Sequence, residues 1–390
     1  MTTTKEVGSM AMNDTIESIK PIIERNRDRA EADRRLPDEV FEAIYDAGLL
    51  RLWMPKESGG EEVDIRTLMS VVESLSRIYS SAGWVFANTA AGAMQAAFMS
   101  DAARREAITD PRGFSVAGSV ASVGRAVEEG EGYRLSGQWR LASGCHHTDW
   151  LGAAALIFDG EVPRMSPDGS PDVKLMLFRR SECEILDTWN PMGMKGTGST
   201  DFRLGDVFIP AYRSFSLLTA PPLIGGPLYQ AGILVLFGFA ITAVLPGIAR
   251  AAIDAFVELA RDKVPAMSQT TLATRPTVHA EVARAEMLLQ SARAYVYEVA
   301  DDVMASLRAG NGVTEELEVK RRLACVNVAT SCVRAVDMVY ALAGTTSIHA
   351  GHPLEQSLRD IHTAAQHFLV SQNWLEKTGQ SYFGLGLGMP

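Results

Sequence analysis

Cysteine is scarce in this chain of 390 residues, and its four copies are scattered. Cys145, Cys183, Cys325 and Cys332 form no C-x-x-C pair, so they read as reduced thiols. Basic charge is in deficit. Lys and Arg number 37 against 47 Asp and Glu, a net charge of −10, which argues against a nucleic-acid surface. The opening Met1-Thr-Thr-Thr-Lys5 lacks the charged-then-apolar order of a secretion signal, and a cytoplasmic location is expected. No internal repeat and no low-complexity segment occurs. One run alone, Ala231 to Ala249, approaches membrane-spanning length. It holds Pro246 and three glycines and meets Arg250, so it reads as a helix buried in a bundle or subunit interface, with no membrane partner.

What is present is ordinary globular composition, 47% apolar and 22% charged, with length for two or three units. Up to about residue 110 the apolar spacing is helical. Asp14, Asp38 and Asp64 stand at helix starts, and Ser80-Ser81-Ala-Gly-Trp84 opens an Ala-rich helix whose small residues allow a close neighbour. From Gly113 the period falls to two, as in Tyr133-Arg-Leu and Leu151-Gly-Ala-Ala-Ala-Leu. After Tyr229 four long helical segments follow, about 230–263, 277–309, 314–345 and 354–378. The fold class is α+β: an N-terminal helical domain (1–112), a central β-barrel-like domain (113–227) and a C-terminal four-helix bundle (228–390).

Two segments stand out. Gly137-Gln-Trp139-Arg-Leu-Ala-Ser143-Gly144-Cys145-His146-His147-Thr-Asp149-Trp150 is one; Gly193-Met-Lys195-Gly-Thr-Gly-Ser199, running on to Val207-Phe-Ile-Pro210, is the other. Each joins a strand to small hydrogen-bonding residues. With Phe114 to Ser119 they resemble, in order, the flavin-binding motifs of the acyl-CoA dehydrogenase superfamily. That resemblance covers nearly the whole chain.

The C-terminal end departs from the dehydrogenases. There an Arg-Asp pair is followed by Glu-Gly-Thr, whose Glu is the base in many members. Here Arg359-Asp360 is followed by Ile-His-Thr-Ala-Ala-Gln-His367. Arg-Asp followed by His resembles the two-component, group D flavin monooxygenases of the same superfamily. The resemblance implies reduced flavin from a separate reductase, with FMNH2 preferred and FADH2 the alternative. It further implies O2 as co-substrate, a C4a-hydroperoxyflavin, hydroxylation of an aromatic compound, and a homotetramer. It makes His367 and Ser143 catalytic. It sets Trp84, Ser119, Trp139, Ser143, Lys195 and Ser199 about the flavin, and Arg261 against a phosphate from a neighbouring subunit. Asn88, Gly92, Cys145 and His146 become substrate contacts.

Phenol-hydroxylating members carry a His about two turns after the Trp that matches Trp84. That position falls near Gly92, and Val-Phe-Ala-Asn-Thr-Ala-Ala before it holds no ionisable group for a phenolate, so an indole-like or polycyclic substrate is expected. Two other readings stay open: an acyl-CoA dehydrogenase or oxidase with an unusual base, and an amine N-oxygenase of the nitrososynthase type. No metal is expected, since Cys145-His146-His147 lacks a third ligand at a recognised spacing. The loop 193–199 is no P-loop, because its Lys falls inside the glycines.

Overall fold

A computed structural model describes residues 3–166, 169–216 and 219–387. Six helices come first: α1 (Thr3–Arg25), α2 (Arg27–Asp33), α3 (Asp38–Asp46), α4 (Ile65–Ile78), α5 (Ser80–Ala93) and α6 (Asp101–Ala107). The strands are β1 (Val116–Glu129), β2 (Gly132–Ala142), β3 (Trp150–Asp159), β4 (Val162–Pro163), β5 (Val173–Arg179), β6 (Glu184–Leu186), β7 (Thr200–Pro210) and β8 (Ser214–Ser216). Helices then return as α7 (Ile233–Thr242), α8 (Val244–Asp262), α9 (Pro276–Arg308), α10 (Glu315–Ala343), α11 (Pro353–Ala364) and α12 (Asn373–Ser381). The fold is thus α+β, helical at both ends with a sheet between. The expected divisions near 112 and 227 fall in the connections α6–β1 and β8–α7.

Helix α4 shows how local sequence sets an element. Asp64 caps it by accepting the Thr67 N–H at 2.9 Å, and Ile65, Leu68, Met69, Val72 and Leu75 form its buried stripe. Tyr79, extended, ends it and starts α5. In α5 every residue but Asn88 is buried. It presses on β1 so closely that a Cβ on Gly92 would lie 1.9 Å from the Val116 carbonyl oxygen. Only glycine fits there without moving backbone.

The sheet runs β6-β7-β2-β1-β3-β5-β8, with β4 beside β3. β1 and β3 are parallel and the other pairs antiparallel. One face carries its own core around Trp139, Phe178 and Phe202. The helices share a larger core.

Two expected helices are divided. The segment expected over 230–263 breaks at Ala243 into α7 and α8. Pro246 lies in the first turn of α8, where its missing N–H costs nothing; within one continuous helix it would have left the Thr242 carbonyl unpaired. Both halves are largely buried against other helices. The segment expected over 354–378 stops at Ala364. His367 then caps a short 3₁₀ turn, Phe368–Val370, and α12 begins at Asn373. The Trp374 indole donates to the Phe368 carbonyl at 2.6 Å and holds this turn.

Candidate functional site

Three parts of the chain meet at Asp360. Its carboxylate accepts the Met194 N–H at 2.5 Å and the Ser80 hydroxyl. Beside it, Gly193 N–H donates to Thr363 Oγ1 at 3.1 Å and Arg359 donates to the Met192 carbonyl at 2.8 Å. A Cβ on Gly193 would lie 2.2 Å from the Arg359 carbonyl oxygen. So α11 fastens the loop 193–199 to the start of α5. Burial pushes the Asp360 carboxyl up to about 6, against the pull of the Ser80 hydrogen bond.

That fastening presents a line of hydroxyls. The Trp84 indole N–H donates to Ser143 Oγ at 2.9 Å. Ser143 Oγ lies 2.7 Å from Ser199 Oγ, which lies 2.7 Å from Thr197 Oγ1. Thr197 donates to the Met194 carbonyl at 2.8 Å. The indole can only donate and the carbonyl can only accept, so every proton between them is directed. Ser143 therefore accepts from Trp84 and donates to Ser199. What it offers outward is a lone pair, not a proton.

His367 closes this site from the C-terminal side. Its ring is 5.6 Å, edge-on, from both Trp84 and Phe237, and 4.9 Å from Phe368. The residue keeps some solvent contact, yet burial of the ring pushes the imidazole down to about 4. It is neutral near pH 7. Nδ1 accepts the Leu369 N–H at 3.3 Å, which leaves the proton on Nε2. The ring presents a hydrogen-bond donor.

A cavity of about 60 Å³ adjoins Phe237. Asn88, Gly92, Gln95, Ser119, Gly152, Leu175 and Ile233 are among its lining residues, and no carboxylate is. Asn88 donates to the Trp84 carbonyl at 2.8 Å, and among the described residues nothing donates to its oxygen. Gly92 contributes backbone only.

The structure thus joins Trp84, Ser143, Ser199 and His367 in one cluster and Asn88, Gly92 and Ser119 in the adjoining cavity. Trp139, Cys145 and His146 stand apart from both. Trp139 is fully buried in the sheet's core, stacked 5.2 Å from Phe202, with its N–H on the Ala154 carbonyl at 2.7 Å. It cannot touch a ligand. Cys145 lies in the same core, 3.2 Å from Thr200 Oγ1, and burial pushes its thiol up to about 11. His146 opens instead on a polar depression with Arg35 and Arg180, its pKa lowered by burial and then by those cations. His147 pairs with Asp38 at 3.3 Å. Lys195 is half-buried, and its carbonyl takes the Trp189 indole at 3.0 Å. Arg261 is exposed and pairs with Glu258 at 2.8 Å. His367 sits in a turn, not on the last long helix. His362 pairs with Asp337 at 2.8 Å. Among the described residues no cluster of three or more His, Cys, Asp or Glu could hold a metal.

Sequence reasoning missed Phe237, Thr197 and Gln95. Phe237 is hidden in the apolar run. Gln95 was within reach: Trp84, Asn88, Ala91 and Gln95 follow at spacings of four, three and four, one stripe of a helix.

The residues present fit a flavin. An isoalloxazine is flat and neutral at its face, with hydrogen-bonding atoms on its edge. Trp84, Phe237 and His367 would supply aromatic surface to it, and Ser143 would supply a polar edge contact.

The chain matches two family models, the acyl-CoA dehydrogenase N-terminal domain over residues 6–110 and the C-terminal domain over 239–372. It is 28% identical over 350 residues to indole-3-acetate monooxygenase of Acinetobacter baumannii, covering 89% of this chain and 87% of that one. It is 28% identical over 361 residues to the HsaA oxygenase subunit of a flavin-dependent monooxygenase from Rhodococcus jostii, covering 90% and 92%. Among solved structures, XiaF from Streptomyces sp., in complex with FADH2 and glycerol, superimposes with TM-score 0.89 at 26% identity, over 99% of this chain and 98% of that one. The HsaA monooxygenase of Mycobacterium tuberculosis does so at 0.89 and 27%, over 97% and 98%.

Proposed function

The chain belongs to the acyl-CoA dehydrogenase superfamily, and from that premise we propose that it is the oxygenase component of a two-component, reduced-flavin-dependent monooxygenase. It hydroxylates an aromatic substrate: one oxygen atom of O2 enters a C–H bond, the other leaves as water, and the reduced flavin gives two electrons. The flavin, brought by a separate reductase, supplies the activation of O2.

The observation that carries this reading is that Ser143 and His367 both stand against Trp84, near a cavity whose lining holds no carboxylate. A dehydrogenase needs a base for an α-proton; here the ring offered is a neutral N–H donor. The lone pair of Ser143 suits an N–H donor, which reduced flavin carries at N5 and oxidised flavin does not. His367 can steady a developing negative charge with its Nε2–H. Trp84 and Phe237 keep water from the reacting atoms. Asn88 and the apolar wall of Leu175 and Ile233 hold a neutral ring, which favours an indole-like or polycyclic substrate.

We also read the chain as three domains divided near residues 112 and 227. The exposed Tyr382, Phe383 and Leu385 at its C-terminal end support packing against another copy in a homotetramer.

The test is rapid mixing of the protein, loaded with FMNH2 or FADH2, with O2 and candidate aromatic compounds. Expected are hydroxylated product, dependence on a flavin reductase, and no response to acyl-CoA. Bleaching of a bound yellow flavin by acyl-CoA would overturn the reading.

A further inference from the structure

The cavity beside Phe237 contains a polar group that no described residue satisfies. The side-chain amide of Gln95 makes no hydrogen bond among the described residues, and its Oε1 is sealed from solvent. A carbonyl oxygen so placed loses its hydration on folding and gains nothing in return. Proteins rarely keep such an orphan unless something else pairs with it.

Its position is informative. The stripe Trp84, Asn88, Ala91, Gln95 runs along one face of α5 and into the turn after it. Eleven residues at the helical rise set Gln95 roughly 16 Å along the axis from Trp84. Trp84 belongs to the hydroxyl relay, where oxygen is activated. Gln95 belongs to the far end, beside Gly152, where a Cβ would lie 3.6 Å from Gln95 Oε1. Between them the lining is apolar or backbone, apart from Asn88 and Ser119. The terminal torsion of glutamine is soft, so a small rotation turns the oxygen toward a ligand.

We propose that Gln95 is a specificity-determining residue that accepts a hydrogen bond from a neutral N–H or O–H at the end of the substrate remote from the site of hydroxylation. The class selected is an elongated aromatic with a donor at one end. Anions are disfavoured there, because the carbonyl would face like charge with no cation in the lining to compensate. This rests on the reading of the cavity as the substrate site.

The test uses the flavin-free protein and two probe pairs: indole with 1-methylindole, and 2-naphthol with 2-methoxynaphthalene. Affinities are measured by calorimetry on wild type and Gln95→Leu. Wild type should bind the donor of at least one pair about tenfold or more tightly than its methylated twin, as expected when a buried carbonyl is left unpaired. In Gln95→Leu the ratio should fall toward one. The thermal midpoint of free Gln95→Leu should equal or exceed that of wild type, since the substitution removes an orphan. Absence of discrimination in wild type, a ratio unchanged in the variant, or a lowered midpoint would each overturn the proposal. Because no flavin, reductase or O2 is present, failed turnover with discrimination intact would sink the monooxygenase reading and leave this one standing.

Discussion

Acidification should unlock the site at His367. Burial lowers its pKa from the ordinary 6.5 to about 4, so the folded protein holds the ring neutral where the unfolded chain protonates it. A group depressed on folding contributes stability that is fully present above 6.5 and is lost as pH falls through 4. A tenfold change in proton affinity corresponds to about 1.36 kcal/mol, so the full loss is roughly 3 kcal/mol, and about 2 kcal/mol is already gone at pH 5. His367→Asn isolates this contribution. Asparagine keeps an oxygen to accept the Leu369 N–H and cap the turn, but it does not titrate. Other groups, His147 and Asp360 among them, titrate equally in both proteins and cancel. Urea unfolding of the two proteins at pH 7.5, 6 and 5 is the assay. The stability of wild type relative to the variant should fall by about 2 kcal/mol between pH 7.5 and 5. A gap that stays constant across that range would refute the burial argument, and with it the neutral Nε2–H donor.

Three further outcomes are expected. Ser143→Ala cuts the hydroxyl line and strands the Trp84 N–H. It should cost about 1–3 kcal/mol of stability and divert O2 from product into hydrogen peroxide, measured by a peroxide assay beside product yield. Gly193→Ala sets a Cβ against the Arg359 carbonyl and should lower stability by about 1–3 kcal/mol; an unchanged melting midpoint would show that the loop is not pinned to α11. Asp360, raised to about 6, favours the fold below its ordinary 3.8 and loses that contribution as pH rises through 6, so Asp360→Asn should flatten the stability profile between pH 4 and 6 by roughly 2 kcal/mol.

The order of helical, sheet and helical parts was legible because the apolar period switches from 3.6 to 2 at Gly113 and back after Tyr229. The hydroxyl cluster was legible in its members, Ser143 and Ser199, but not in its polarity, which depends on Trp84 arriving from α5 and on Thr197 turning back onto the Met194 carbonyl of its own loop. Trp139 and Cys145 misled for a definite reason. Along β2, Leu135 and Trp139 share the face that packs into the sheet's core. Leu141 then takes φ 65°, and the pairing with β7 shifts between Trp139 and Ala142. Ser143 therefore leaves the strand in a phase that simple alternation does not give. The break before His367 was equally hidden, since the hydrogen bond from the Trp374 indole to the Phe368 carbonyl is a contact that helical periodicity does not encode.

The contact at Gly92 sets a limit on how this protein could be retargeted. Trading the residue for histidine, the obvious route to gripping a phenolate, would require α5 and β1 to part before any imidazole reached the cavity. Redesign toward charged phenols must begin at another wall, or by remaking the helix–strand seam itself.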